Sequence, residues 1–286
     1  MRAREALKKA VTALSEAGFA TPEREASAIL KDGLGINSLA VFKDDPLLAP
    51  EQESKLDEIL KRRVAREPLQ YILGFVWFYG IKIEVGPGAL IPRPETELVV
   101  EEAIKRAFPK TDAISILDLC TGSGAIAIAL SLNLPGAQVT GTDISEKALF
   151  WAGRNMAANF DDAAPHKIRF LKGDLFGPVE GAKFNIITAN PPYIKEDMIE
   201  TLQPEICRWE PRMALSGGAE GLDVVKRIIS GSPEHLIQGG SLIMEIAGGT
   251  DIAALDKMAA GAGLQPEKVI KDYSGWDRVY IARKKE

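Results

Sequence analysis

The stretch Ile116-Leu117-Asp118-Leu119-Cys120-Thr121-Gly122-Ser123-Gly124-Ala125-Ile126-Ala127-Ile128-Ala129-Leu130 decides the fold. The apolar run Ile114–Leu119 predicts a strand buried on both faces. Ala125–Leu132 predicts a helix. Between them lies a turn with two glycines, which let backbone approach a ligand closely. Open parallel sheets hold nucleotides at strand-to-helix turns of this kind. Asp143 ends the next predicted strand, Gln138–Ile144, where a carboxylate can accept both hydroxyls of a ribose. The full dinucleotide pattern G-x-G-x-x-G is missing, because Ala127 stands at its last glycine. The Lys-Ser/Thr pair of a P-loop is missing as well. These features point away from NAD and ATP and towards S-adenosylmethionine.

Downstream, strands and helices alternate. Helix is expected over Glu146–Asn159, strand over Ile168–Gly173 and Phe184–Ala189, and helix over Asp223–Ile237. A fifth strand is expected over Ser241–Ala247, a helix over Asp251–Ala260, and two short strands near Lys268–Tyr273 and Arg278–Ala282. Such alternation implies a parallel sheet with helices on both faces. Directly after the fourth strand stands Asn190-Pro191-Pro192-Tyr193. Ligands of open α/β sheets bind at the carboxyl ends of strands, so this motif faces the crevice of Gly122 and Asp143. Its parts suit a planar –NH2 nucleophile. The Asn190 side-chain oxygen and the Pro191 carbonyl can each accept one N–H, and Tyr193 offers a flat face for stacking.

Upstream, the first seventy residues read as helices. Leu7, Val11 and Leu14 recur at helical spacing. Thr21-Pro22 starts a helix, with the Thr hydroxyl as cap and Ala26, Ile29 and Leu30 as its apolar stripe, ending near Gly33 or Gly35. Pro50-Glu51 opens another, with Leu56, Ile59, Leu60 and Val64 on one face. Phe75–Val85 then alternates in the manner of a β-hairpin. Ile91-Pro92-Arg93-Pro94-Glu95 is a stiff loop, and Glu95-Thr96-Glu97 opens a helix through Ala107.

Composition narrows the classes further. The chain has 286 residues, 46% hydrophobic and 26% charged, the make-up of a globular protein. Cys120 and Cys207 are its only cysteines and His166 and His235 its only histidines, so neither a disulfide framework nor a histidine-built metal site is expected. Residues 1–80 carry 12 basic and 12 acidic residues, which leaves the net −5 on residues 81–286. A basic surface for gripping nucleic acid is not evident. The start carries charges throughout and lacks the apolar core of a signal peptide, and no membrane span is seen, so a cytoplasmic protein is expected.

Several segments together resemble the HemK/PrmC-type protein-(glutamine-N5) methyltransferases. They are EPLQYILG (67–74), GALIPRPETELVV (88–100), ILDLCTGSGAIAIAL (116–130), NPPYI (190–194), EPRMALSGGAEGLD (210–223) and GWDRVYIARK (275–284). NPPY alone is shared with N6-adenine DNA methyltransferases, whereas IPRPETE with NPPYI is far more specific. The resemblance implies a class I S-adenosylmethionine-dependent methyltransferase fold, Rossmann-like, with a seven-stranded mostly parallel sheet. It implies a helical substrate-docking domain over residues 1–74, a hairpin linker over 75–92 and a catalytic domain over 93–286.

By the same resemblance, Cys120, Thr121, Gly122, Ser123 and Gly124 wrap the methionine and ribose part of the donor. Asp143 holds the ribose, and Asp174 and Leu175 flank the adenine. Asn190 touches donor and substrate, and Pro191, Pro192 and Tyr193 complete the glutamine pocket. The catalytic set is Asn190, Pro191 and Tyr193. The implied substrate is the glutamine of the Gly-Gly-Gln motif in class I peptide-chain release factors, with S-adenosylhomocysteine as co-product, no metal, no membrane, and a monomeric enzyme. The family usually has Gly at the place of Cys120, and a single Gly where Ala247-Gly248-Gly249 follows Ile246 here. The rival readings are an N6-adenine DNA or RNA methyltransferase and a catalytically silent docking protein. Glu95 and Glu97 are expected to serve the helix start, with reach into the pocket as the alternative.

Overall fold

The computed structural model describes residues 1–107, 114–160 and 168–285, so His166 lies outside the described residues. The chain forms two compact units, Met1–Gly74 with Pro204–Trp209, and Phe75–Gln203 with Glu210–Glu286. Among the described residues, no helix is long and apolar enough to cross a membrane.

The first unit contains α1 (Ala3–Glu16), α2 (Pro22–Ala28), α3 (Ser38–Lys43), α4 (Pro50–Val64) and α5 (Leu69–Leu73). A π-helical turn over Ile29–Gly33 continues α2. Ala3, Ala6, Ala10 and Leu14 form the buried face of α1, while Leu7 and Val11 pack at its margin. Thr21 does not cap α2 through its side chain, contrary to expectation; Pro22 simply pre-sets the first turn. Leu56, Ile59 and Leu60 of α4 are buried as expected, but Val64 is exposed and Arg63 takes the inner place. A cation is tolerated there because it is fully paired. Arg63 donates to both Glu25 carboxylate oxygens (2.6 and 3.0 Å) and to Glu205 (3.0 Å), and lies over the Phe19 ring at 4.0 Å. Glu205 sits on the four-residue α9 (Pro204–Cys207), over 140 residues away in sequence, which periodicity cannot see.

The second unit opens with the expected hairpin, β1 (Phe75–Phe78) and β2 (Ile81–Glu84), and with α6 (Glu97–Ala107) after a 3-10 turn over Pro94–Thr96. Then follow β3 (Ser115–Leu119), α7 (Ala125–Asn133), β4 (Gln138–Asp143), α8 (Glu146–Asn159), β5 (Ile168–Lys172) and β6 (Phe184–Ala189). The rest is α10 (Asp223–His235), β7 (Leu236–Glu245), α11 (Ile252–Gly261), β8 (Leu264–Lys271) and β9 (Asp277–Lys284). Two boundaries correct the sequence reading. Helix α10 stops at His235, and β7 begins at Leu236 rather than Ser241, running through Gly239-Gly240 by way of a bulge against β6. The last two strands are eight residues each, not short.

The seven strands lie in the order β5-β4-β3-β6-β7-β9-β8. All neighbours are parallel except β9, which runs antiparallel to β7 and β8. This is the mostly parallel sheet of a class I methyltransferase, as expected. Leu117, Leu119, Ile187, Leu242 and Met244 are fully buried, since helices cover both faces. The strand order reverses between β3 and β6, which opens a crevice at their carboxyl ends.

Candidate active site

Register alone assembles the site. Leu119 pairs with Thr142 on one side and Ala189 on the other, and Ala189 pairs with Met244. Cys120, Asp143, Asn190 and Glu245 are each the next residue, so they stand side by side along the carboxyl edge of the sheet. Neighbouring strands are about 4.8 Å apart, which sets the spacing of these groups.

The glycine-rich turn is held from below and from the side. Asp118 is fully buried and accepts hydrogen bonds from the hydroxyls of Thr121 (2.5 Å) and Thr188 (2.8 Å). It thereby staples the turn after β3 to β6. Burial pushes its carboxyl up to about 7, against the pull of those hydroxyls. Thr121 and Ser123 are buried, so their side chains support the turn instead of lining it. Asn155 of α8 donates to Ser123 O (3.0 Å) and exchanges hydrogen bonds with the Glu84 backbone (2.6 and 2.9 Å), tying turn, hairpin and helix together.

Cys120 adopts φ +55°, a left-handed conformation that favours glycine. Burial, reinforced by Asp143, Asp118 and Asp174, pushes its thiol far up, which disfavours the thiolate.

Asp143 faces the turn. One carboxylate oxygen accepts from Gly122 N (2.9 Å) and the other from Ser145 N (2.8 Å). Ile144 N acts on the same carboxylate, so of its roughly four lone-pair sites about one remains for a ligand. Burial raises its pKa, and the backbone donors oppose that. Gly122 (φ +59°) leaves open space: an added Cβ would meet nothing nearer than Cys120 O at 3.9 Å. Gly124 is the opposite case, since a Cβ there would come within 2.9 Å of the Phe170 ring. An open backbone floor bordered by a carboxylate that can still accept a hydrogen bond fits the ribose of S-adenosylmethionine. The carboxylates of Asp118, Asp143 and Asp174, which all act on Cys120, fit its positive charge. Asp174 is exposed and paired with Arg227 (2.6 Å). The Leu175 side chain is turned into the core and its carbonyl accepts from Thr142 (3.0 Å), so only Asp174 of this pair offers a side chain to a ligand.

At the β6 end, Asn190 donates through Nδ2 to the Thr96 hydroxyl (3.1 Å). Thr96 in turn donates to Glu245 Oε2 (2.5 Å), and Tyr193 donates to Glu245 Oε1 (2.8 Å). Glu245 is buried, and burial raises its pKa; it also raises that of the Tyr193 phenol, with Glu245 adding to the effect. Pro191 is buried, and Pro192 and Tyr193 are partly exposed. The segment 210–223 braces the loop that follows. Ile194 N donates to Leu215 O (2.9 Å), Gly217 N returns to Ile194 O (2.8 Å), and a Cβ on Gly221 would strike Tyr193 O. Glu210 accepts from Ile91 N (3.1 Å) and pairs with Arg93, which fixes the proline loop before Thr96.

The structure therefore brings together Cys120–Gly124, Asp143 and Asn190–Tyr193 around one crevice. Sequence reasoning missed Thr96 and Glu245. Glu97 instead accepts from Tyr79 N (2.7 Å) in the hairpin turn, a structural use. Glu95 acts electrostatically on Glu245. His235 stacks on Phe176 (4.6 Å) beneath the sheet and takes no part.

Residues 5–74 match the PrmC N-terminal domain family, and residues 99–207 the methyltransferase small domain family. The chain is 42% identical over 262 residues to the release factor glutamine methyltransferase of Thermodesulfovibrio yellowstonii, which spans 91% of this chain and 92% of the relative. The release factor glutamine methyltransferase of Moorella thermoacetica is 37% identical over the full length of both chains. Among solved structures, a methyltransferase from Pyrococcus furiosus superposes with a TM-score of 0.54 at 20% identity, covering 73% of this chain and 91% of its own. A SAM-dependent methyltransferase from Agrobacterium tumefaciens gives 0.51 at 15%, covering 74% and 69%. These two share the fold. The sequence relatives carry more: the chain belongs to the release factor glutamine methyltransferase family.

Proposed function

We propose that this chain transfers a methyl group from S-adenosylmethionine to the side-chain amide nitrogen (N5) of the glutamine in the Gly-Gly-Gln motif of class I release factors. The observation that carries the reading is the orientation of Asn190. Its Nδ2 is committed to Thr96, which leaves Oδ1 without a hydrogen-bond partner among the described residues and free to accept an N–H.

An amide nitrogen is a poor nucleophile, because its lone pair is delocalised into the carbonyl. When bound, the donor supplies an electrophilic methyl on a sulfonium, whose sulfur keeps the C–S electron pair as S-adenosylhomocysteine. Asp143 binds the ribose hydroxyls, and the backbone of Cys120, Gly122 and Gly124 forms the floor for the methionine part. Asp174 borders the adenine. Asn190 Oδ1 and the Pro191 carbonyl each accept one N–H of the glutamine amide, which turns its nitrogen towards the donor. Acceptors aimed at both hydrogens favour the positive charge that grows on nitrogen as the C–N bond forms. Tyr193, its hydroxyl anchored on Glu245, presents its ring to the planar amide. The proton leaves nitrogen after methyl transfer, so no strong base is needed. Positioning is the main contribution.

Residues 1–74 act as a docking domain for the release factor, 75–92 as the linker and 93–286 as the catalytic domain; a neutral charge and a separate core support this division. The enzyme acts as a monomer in the cytoplasm without bulk nucleic acid. Transfer of labelled methyl to purified release factor, with DNA and RNA as parallel acceptors, tests the reading. Label on nucleic acid and none on protein would overturn it.

A further inference from the structure

We infer that Thr96 and Glu245 are positioning residues that set which way round the Asn190 amide faces. This rests on the reading that Asn190 accepts an N–H from the substrate amide. An ionised carboxylate can only accept hydrogen bonds. Each Glu245 oxygen accepts a hydroxyl proton, from Tyr193 at 2.8 Å and from Thr96 at 2.5 Å. Thr96 has spent its single proton on Glu245, so towards Asn190 it can only accept. Asn190 must therefore turn Nδ2 inward at 3.1 Å and Oδ1 outward. The polarity of the buried carboxylate is passed through one hydroxyl to the crevice.

Other placements of protons would undo this. Were Thr96 free to donate to Asn190, the amide could turn over and present –NH2 to the substrate –NH2, two donors face to face. The chain is built across three elements: the 3-10 turn before α6, the end of β6 and the end of β7. Charges that face Glu245 are Arg278 on β9, which favours its ionised form, and Glu95 before α6, which opposes it. Thr96 and Glu245 are buried, so neither needs to touch substrate to act.

The test is Thr96→Val, which keeps shape and removes the hydroxyl, beside Thr96→Ser, which keeps the hydroxyl. On release factor, Thr96→Val should lower kcat by about 10- to 100-fold, the scale of a misplaced or lost partner of the reacting group. Donor affinity, read by calorimetric titration, should change less than about threefold, since Asp143 and the turn are intact. Thr96→Ser should restore kcat to within about threefold of the parent. A purely structural role predicts equal losses in donor affinity and kcat, and no selective rescue. Thr96→Val with parental kcat, or with a change in KM alone, overturns the inference. If Thr96→Val does not bind donor, Thr96→Ala is read by the same two measurements, normalised to donor-binding sites. A parent protein that does not methylate release factor sinks the functional reading instead, so the two failures are distinct.

Discussion

Replacing Asp143 by alanine should weaken donor binding by about 1.5–3 kcal/mol, the range for hydrogen bonds made to a charged group. That corresponds to roughly 10- to 150-fold in Kd. Two contributions can be separated. Direct loss concerns the acceptor that Asp143 offers to the ribose in the proposed site. Indirect loss concerns Gly122 N and Ser145 N, which the same carboxylate holds at 2.9 and 2.8 Å and which would be left to water. Asp143→Asn keeps one acceptor oxygen but puts an –NH2 against one of those backbone donors, so it should fall between parent and Ala. Titration calorimetry with S-adenosylmethionine and with S-adenosylhomocysteine measures both variants, and thermal unfolding without ligand shows whether the fold is kept. A folded Asp143→Ala protein with parental affinity would remove Asp143 from the donor site. An Asn variant as weak as Ala would assign the effect to the turn rather than to the ribose.

Asn190→Ala should lower single-turnover methylation by about 10²–10³-fold, with a smaller fall in donor affinity; near-normal turnover would reduce the loop to a strand terminator. Asp118 titrates near 7 in the fold against 3.8 for the ordinary carboxyl, so the folded state holds this proton more tightly. Its contribution to stability is full below about pH 4 and is lost as pH rises through 7, up to about 4 kcal/mol in all. Urea unfolding of the parent minus Asp118→Asn, from pH 4.5 to 8, should show that decline, and parallel curves would refute it. Arg63→Ala should cost the helical unit about 3–5 kcal/mol, because Glu25 loses its cation and Glu205 is left with Arg66 alone, and a loss under 1 kcal/mol in chemical denaturation would contradict that account.

Much of this architecture could be read from the chain, and the exceptions have physical causes. Helix Glu146–Asn159 and strand Phe184–Ala189 have the predicted bounds, because caps and β-branched runs are local signals. The start of β7 was hidden by Gly239-Gly240, which normally break a strand but here form a bulge, with Gly239 at φ +71°. Arg63 displaced Val64 from the core because its anions come from Glu25 and the remote Glu205. In the site, Asn190 and Asp143 were legible as polar residues at strand ends. Glu245 was not, since it sits within an otherwise apolar run, Leu242 to Ile246. That placement was itself a signal: a carboxylate in a doubly covered strand is costly unless hydroxyls or cations meet it. Thr96 was masked by Glu95 and Glu97, whose charges read as a helix start. No local pattern pairs residues 149 positions apart.

The net charge also changes meaning once the acids are placed. The excess of acids over residues 81–286 argues against a nucleic-acid surface only as far as those acids are exposed. Asp118, Glu102, Glu210 and Glu245 are buried, and burial pushes the carboxyl of Asp118 up to about 7. Glu102 and Glu210 are neutralised locally by Lys105 with Lys268 and by Arg93. Part of the acidity is therefore internal wiring rather than surface field. The carboxylates near the turn act in a low-dielectric setting, where a charge is worth more than in water. In the proposed mechanism they favour the sulfonium donor over its neutral product. At the other end of the crevice the carboxylate of Glu245 contributes through polarity, by deciding who donates and who accepts. A methyl transfer moves one positive charge from sulfur to nitrogen, so the site needs negative potential at the sulfur and bare acceptors at the nitrogen. In the proposed mechanism the β3 and β4 ends supply the first, and the β6 and β7 ends the second.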